Sequence, residues 1–241
     1  MTTSVAVFRP DDDRIADATD RLESLGVEPV PDPMLAVEVT GAVPRTDADV
    51  VVLTSTTGVD IAADAGWTPG ETRLAAIGPK TAERAEQSGF AVDLVPEAYT
   101  SEGLVDALED DVNGSRVEVA RSDHGSAVLT GGLAAAGAYV HETVLYRLVR
   151  PDGAGVSIGR VLDGDLDAAL FTSSLTVRHF LDAAEERGVG DDLREAMAEV
   201  VVGCIGPPTR ETAENAGIEV DVVPEDATFD ALARAVVDAL E

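Results

Sequence analysis

One cysteine, Cys204, stands in a chain of 241 residues. No disulfide can form within the chain, and a reducing compartment is expected. Lysine is as scarce: Lys80 is the only one, so arginine supplies the rest of the 17 basic residues against 46 aspartates and glutamates. The formal charge of −29 repels nucleic acid and anionic lipid headgroups, which removes both as expected partners. No apolar run approaches the roughly 18 residues of a membrane span. The opening MTTSVAVFRPDDD lacks a basic n-region followed by a long apolar stretch, so the chain is expected to be soluble, unanchored and cytoplasmic.

Several chemical signatures are missing too. No G-x-G-x-x-G follows a strand, and IGPKT lacks the first glycine of a phosphate-binding loop. No G-x-S-x-G elbow is present. His124, His141 and His179 lie far apart with no H-x-x-x-H spacing, so a metal site is not expected. Dinucleotide, nucleotide, metal and triad chemistry all lose support.

What remains is a folding sequence. Hydrophobic residues make up 45%, too many for a disordered chain. The excess of acid suits concentrated salt, where a Debye length of about 3 Å at 1 M screens self-repulsion. The charge is thus read as adaptation to solvent.

An internal repeat sets the architecture. Ile77 to Glu97 reads IGPKTAERAEQSGFAVDLVPE and Ile205 to Glu225 reads IGPPTRETAENAGIEVDVVPE, with 13 of 21 positions identical and no gap. Each copy follows a strand that ends in hydroxyls, VVVLTSTT and AALFTSSL, and VAVFRPDD pairs more weakly with VEVARSDH. Buried parallel strands are expected at Val5–Phe8, Val50–Leu53, Leu74–Ile77, Val92–Val95, Val117–Ala120, Ala168–Phe171, Val200–Ile205 and Val220–Val223, alternating with helices. Pro79 and Pro207 suit first helical turns, Gly89 and Gly217 suit C′ positions, and the glycines of Thr130–Gly137 suit close helix packing.

The order of the repeated units places one domain inside the other. The expected fold is α/β, with two similar parallel-sheet domains of flavodoxin-like or Rossmann-like type joined by a two-stranded antiparallel linker. The outer domain takes residues 1–36 and 150–241, the inserted one 41–143, and the linker strands 37–40 and 144–149. A ligand is expected in a cleft between the domains.

Strand C-termini that open onto helix starts are where an open α/β sheet binds anions. Ser55, Thr56, Lys80, Thr81 and Arg121 of the inserted domain occupy such turns, as do Arg9, Ser173, Ser174, Thr209 and Arg210 of the outer one. Alternatively the hydroxyls only cap helices, and Arg9 and Arg121 only pair with Asp11 to Asp13 or with Asp123. Tyr146, one of three tyrosines, either packs in the return strand or reaches the ligand with its phenol.

The discontinuous two-domain order, the strand-TS-helix units, both IGP-x-T segments, the closing VPE-x-x-T and the tyrosine-bearing return strand together resemble the uroporphyrinogen-III synthase family over essentially the whole chain. The resemblance implies a small-molecule substrate, hydroxymethylbilane, a linear tetrapyrrole with eight carboxylates. It would be closed to uroporphyrinogen III with loss of water and inversion of ring D, without metal or cofactor, in a monomer. It also implies that Tyr146 assists departure of the hydroxyl or steadies the cation, and that Thr209, Thr81, Ser55 and Ser173 line the site. Pro208 stands where many relatives carry a small hydroxyl residue. A non-catalytic tetrapyrrole or anion sensor on the same fold is the alternative.

Overall fold

The structure, a computed structural model, describes residues 3–240. In chain order the first elements are β1 (Ser4–Phe8), α1 (Asp13–Ser24), β2 (Glu28–Pro31), β3 (Ala36–Val39), β4 (Val50–Leu53), α2 (Thr56–Asp64), β5 (Arg73–Ala76), α3 (Pro79–Gln87) and α4 (Ser101–Leu108). There follow β6 (Arg116–Ser122), α5 (Ala127–Ala135), β7 (Tyr139–Val149), α6 (Val156–Leu162), β8 (Ala168–Phe171), α7 (Ser174–Glu186), α8 (Gly190–Ala196), β9 (Val201–Cys204), α9 (Pro207–Asn215) and α10 (Phe229–Ala239). The chain divides into two compact units, Met1–Ala36 with Val149–Glu241, and Val37–Leu148.

In the first unit four strands pair in parallel in the order β2-β1-β8-β9. All five residues of β1 are buried, as a strand covered on both faces requires. On one face Val5, Val7 and Leu170 meet Leu22 of α1 and Leu232 and Val236 of α10. On the other, Phe8 stacks on Phe171 at 4.5 Å between ring centres and both meet Phe180 of α7. Each such ring contributes about 1.5–3 kcal/mol by leaving water. Strand β2 lies outside the expected strands; it carries Pro29 and Pro31 and is an edge strand, where the missing N–H groups are tolerated.

In the second unit the order is β3-β7-β6-β4-β5. Val51, Leu53 and Leu74 pack under α2 and α3, while Val52, Val117 and Val119 pack under α4 and α5. The glycine-rich stretch of α5 is used for contact: a Cβ on Gly132 would fall 2.6 Å from Val105 of α4. Residues 144–149, expected as a linker strand, are the second half of the eleven-residue β7, which pairs in parallel with β6 from Tyr139 onward.

The two sheets match strand for strand, β2-β1-β8-β9 against β7-β6-β4-β5, so the repeated sequence is a repeated fold. Strands expected at Val92–Val95 and Val220–Val223 shrink to single parallel bridges, at Leu94 and Val222. The preceding carboxylate competes for the neighbouring strand's donor: Asp93 accepts from Leu74 N–H at 2.8 Å and Asp221 from Val202 N–H at 2.7 Å. Gly89 and Gly217 end α3 and α9 at φ 84° and 87°, a conformation that glycine reaches without strain.

Candidate active site

In each sheet the strand carboxyl ends run straight into helix starts. Ser55 follows β4 and caps α2 by accepting from Gly58 N–H at 3.0 Å; Ser173 follows β8 at the equivalent place and caps α7 by accepting from Thr176 N–H at 3.2 Å. The cap reading therefore holds for both. Ser55 does one thing more: its Oγ lies 2.9 Å from the phenol oxygen of Tyr146.

That contact depends on an irregularity no sequence pattern announces. The register between β6 and β7 shifts by one residue, Arg121 facing Val144 but Ser122 facing Tyr146, so Leu145 is an extra residue in β7. An extra residue breaks the strict alternation of side chains. Leu145 and Tyr146 consequently both join the cluster under α2, with Val59 and Ala120, and the phenol reaches Ser55 instead of crossing to the opposite face. Thr40 fixes the irregularity from the other side, donating N–H to Leu145 O at 3.0 Å with its hydroxyl 2.7 Å from Val144 O.

The other expected residues separate into two groups. Thr56 and Lys80 are exposed at the first turns of α2 and α3. Ser174 is partly buried and donates to Pro208 O at 2.9 Å, tying the start of α7 to that of α9. Arg9 lies 4.8 Å above the Phe229 ring, and its buried Nε has no partner among the described residues. Burial pushes that guanidinium below its ordinary value, with Arg14 adding repulsion.

Three residues expected to face a ligand are built into the framework instead. Thr81 and Thr209 occupy the third helical positions of α3 and α9 and are 5% and 4% exposed, their place in the repeat being a packing requirement. Arg121 is 4% exposed and already committed: it pairs in bidentate fashion with Glu142, Nε and Nη2 both at 3.0 Å, and donates to Ser126 O. A guanidinium so matched has little left for a second carboxylate. Arg210 pairs with Glu214 one turn along α9 at 2.7 Å.

The two IGP loops also differ in donors. Gly78 and Gly206 are N-caps without a side-chain cap bond. After Gly78 only Pro79 lacks an N–H, whereas Pro207 and Pro208 leave the first two positions of α9 with none. The start of α9 is thus the poorer anion site.

A cavity of about 480 Å³ lies elsewhere in the second unit, at the strand beginnings, lined by residues including Arg45, Arg116, Glu118, Tyr139 and His141. The hydroxyl-bearing strand ends are favoured over it on chemical grounds, because helix starts and a paired phenol are found there. Among the described residues no group of three or more His, Cys, Asp or Glu converges as metal ligands would. No helix among them is long and apolar enough to cross a membrane.

Parallel sheets whose carboxyl ends run into serine-capped helix starts place the chain among open-sheet α/β proteins. The family described as uroporphyrinogen-III synthase HemD matches residues 16–234, and the chain belongs to it. A protein of Methanothermobacter thermautotrophicus, called a putative uroporphyrinogen-III synthase, is 35% identical over 237 residues, covering 92% of each chain. The uroporphyrinogen-III synthase of Synechococcus elongatus is 28% identical over 201 residues, 79% of this chain and 75% of that one. The fold is shared with a mutant uroporphyrinogen III synthase of Thermus thermophilus, TM-score 0.68 at 20% identity over 99% of both chains.

Proposed function

We propose that this protein closes hydroxymethylbilane to uroporphyrinogen III, with loss of water and inversion of ring D. The observation that carries the reading is the family match over residues 16–234, joined to relatives of the same name along most of the chain.

The chemistry asks little of side chains. Once the terminal hydroxyl has left as water, the remaining azafulvene is reactive, and closure without inversion competes. The protein's main task is to hold the chain so that ring D attacks through its substituted carbon, and such orientation is worth up to roughly 7–11 kcal/mol. Carboxylates are taken at the strand ends, by exposed Thr56 and Lys80 and the opening turns of α2 and α3 in one unit, and by the partly buried Arg9, Ser173 and Ser174 in the other. Protonation of the departing hydroxyl is assigned to Tyr146, a residue 6% exposed whose assignment rests not on exposure but on the hydrogen bond between its phenol and Ser55. Thr81, Thr209 and Arg121 act only by holding the loops.

The test is to supply the purified protein with hydroxymethylbilane and resolve the product isomers. Formation of the III isomer well above the spontaneous background is expected. Product that is only the I isomer, at the uncatalysed rate, refutes the reading.

A further inference from the structure

The hydroxyl of Ser55 has one hydrogen and two acceptor positions. One acceptor position is filled by Gly58 N–H at 3.0 Å, and Tyr146 Oη lies at 2.9 Å. The place of the oxygen is fixed from several sides. It caps a helix, so it cannot swing away without uncapping α2. Gly58 leaves room for it, since a Cβ there would stand 3.2 Å from Ser55 Oγ and 3.5 Å from Leu145 Cδ1. The extra residue in β7 then delivers the phenol to the same spot.

We propose that Ser55 is a positioning residue for Tyr146: its O–H donates to the phenol oxygen, so that the hydrogen of Tyr146 is left for the substrate and the phenolate formed afterwards keeps a donor. The proposal rests on the function stated above. In the step it serves, the bond between the hydroxymethyl carbon and its oxygen breaks and the electron pair stays on oxygen. The Tyr146 hydrogen joins that oxygen, and water departs from the azafulvene cation. Ring D, having attacked through its substituted carbon, has no hydrogen there to lose, so the bond from that carbon to its original bridge breaks. The free α-carbon of ring D then closes onto the released bridge carbon, and the proton lost from it restores the phenol, so water is the only net loss. Ser55 has two effects on one atom: it aims the hydrogen and it stabilises the phenolate.

The duplicated half of the protein shows what the contact adds. Pro10 faces Leu35 with the same one-residue shift in register, and Asp11 N–H bonds Leu35 O as Asp123 N–H bonds Tyr146 O. Leu35 is thus the counterpart of Tyr146 and Ser173 that of Ser55. Lacking a phenol to serve, Ser173 closes a capping box with Thr176. The geometry of strand and helix is common to both halves; the hydroxyl pair is peculiar to one.

The experiment compares kcat and KM for III-isomer formation in wild type, Ser55→Ala, Ser55→Gly, Ser55→Thr, Tyr146→Phe and the Ser55→Ala/Tyr146→Phe double variant. Glycine is nearly as good an N-cap as serine while alanine is not, so the pair separates capping from phenol contact. Both should lower kcat by roughly tenfold to a hundredfold, the range for a hydrogen bond to a charged oxygen, with KM little changed. Ser55→Thr should restore most of the rate, and Ser55→Ala should cost almost nothing once Tyr146 is phenylalanine. Full kcat in Ser55→Gly, a rise in KM alone, or effects that multiply in the double variant would each overturn the positioning role while leaving an active enzyme. An inactive wild type would instead overturn the function, and this proposal with it.

Discussion

Asp32 closes a helix start from far away in the sequence, and its removal is expected to be costly to the first unit. Helix α6 begins at Gly155, whose φ of 91° suits glycine and whose missing side chain leaves the helix start uncapped. Asp32, 1% exposed, supplies the cap across 123 residues of sequence: Oδ1 accepts from Gly155 N–H at 2.7 Å, and Oδ2 accepts from Ser157 N–H at 3.0 Å and from the Ser157 hydroxyl. Three donors to a carboxylate at about 1.5–3 kcal/mol each set an upper bound, which the cost of drying the charge reduces. A loss of about 3–5 kcal/mol is expected for Asp32→Ala, a large share of the ~5–15 kcal/mol that holds a domain together. Asp32→Asn keeps one acceptor oxygen and turns an N–H₂ toward the donors, for about 2–3 kcal/mol. The same unit contains its own probe. Cys204 in β9 is wholly buried, and burial pushes its thiol up to about 12, so a thiol reagent reaches it through opening of the unit. A loss of 3 kcal/mol raises the opening constant roughly 150-fold, and the labelling rate with it where reclosing is fast. The reasoning is refuted if Asp32→Ala speeds Cys204 labelling less than about fivefold, which corresponds to ~1 kcal/mol.

Three more outcomes can be measured. Under the proposed function an octa-anionic substrate meets a chain of charge −29, so KM for hydroxymethylbilane should fall as salt rises toward 1 M, and an unchanged KM in dilute buffer would refute the solvent-adaptation reading. Glu118 is fully buried with Oε2 2.7 Å from His141 Nδ1 and Oε1 without a partner among the described residues, so His141→Ala should cost about 1–3 kcal/mol in denaturant melts; adding Glu118→Ala should recover most of it, the corresponding residue in the other unit being Ala6. The Arg14 guanidinium holds the Asp12 carboxyl below its usual range. With the folded value below the unfolded one, that stabilisation is complete above the unfolded value and drains away as pH falls through the folded value, so Asp12→Asn should flatten the acid limb of a stability-pH profile and leave the alkaline limb in place.

Much of the fold was legible because it is written twice. β-Branched runs such as Val50–Leu53 and Ala168–Phe171 are buried on both faces and appear as strands at the expected residues. Helix ends were legible where backbone geometry restricts the residue, at Pro79, Pro207, Gly89 and Gly217. Legibility failed where a side chain competes with the backbone. Val92–Val95 and Val220–Val223 carry a strand pattern, yet Asp93 and Asp221 occupy the donors that a full strand would use. At the site, residue type alone could not separate an exposed lysine such as Lys80 from an arginine such as Arg121, already satisfied by Glu142. That partner lies 21 positions away and becomes adjacent only when β6 and β7 pair.

The duplication also explains why identity between the halves is a poor guide to chemistry. Thr81 and Thr209, Asp93 and Asp221, Gly89 and Gly217 recur because two copies of one sheet need the same helix starts, the same donor partners and the same turns. A residue that both halves require for packing cannot mark what only one half does. The informative positions are those where equal backbone geometry carries unequal side chains: Tyr146 against Leu35, Arg121 with its carboxylate against Arg9, whose Nε has no partner among the described residues, and Lys80 with its N–H against the second proline of α9. Each difference falls at a strand carboxyl end, where an α/β sheet exposes unsatisfied donors, and the one that adds a paired hydroxyl lies in the second unit alone. Under the proposed function, this argument assigns the chemistry of water loss to the second unit and substrate binding in the first unit to Arg9, Ser173 and Ser174.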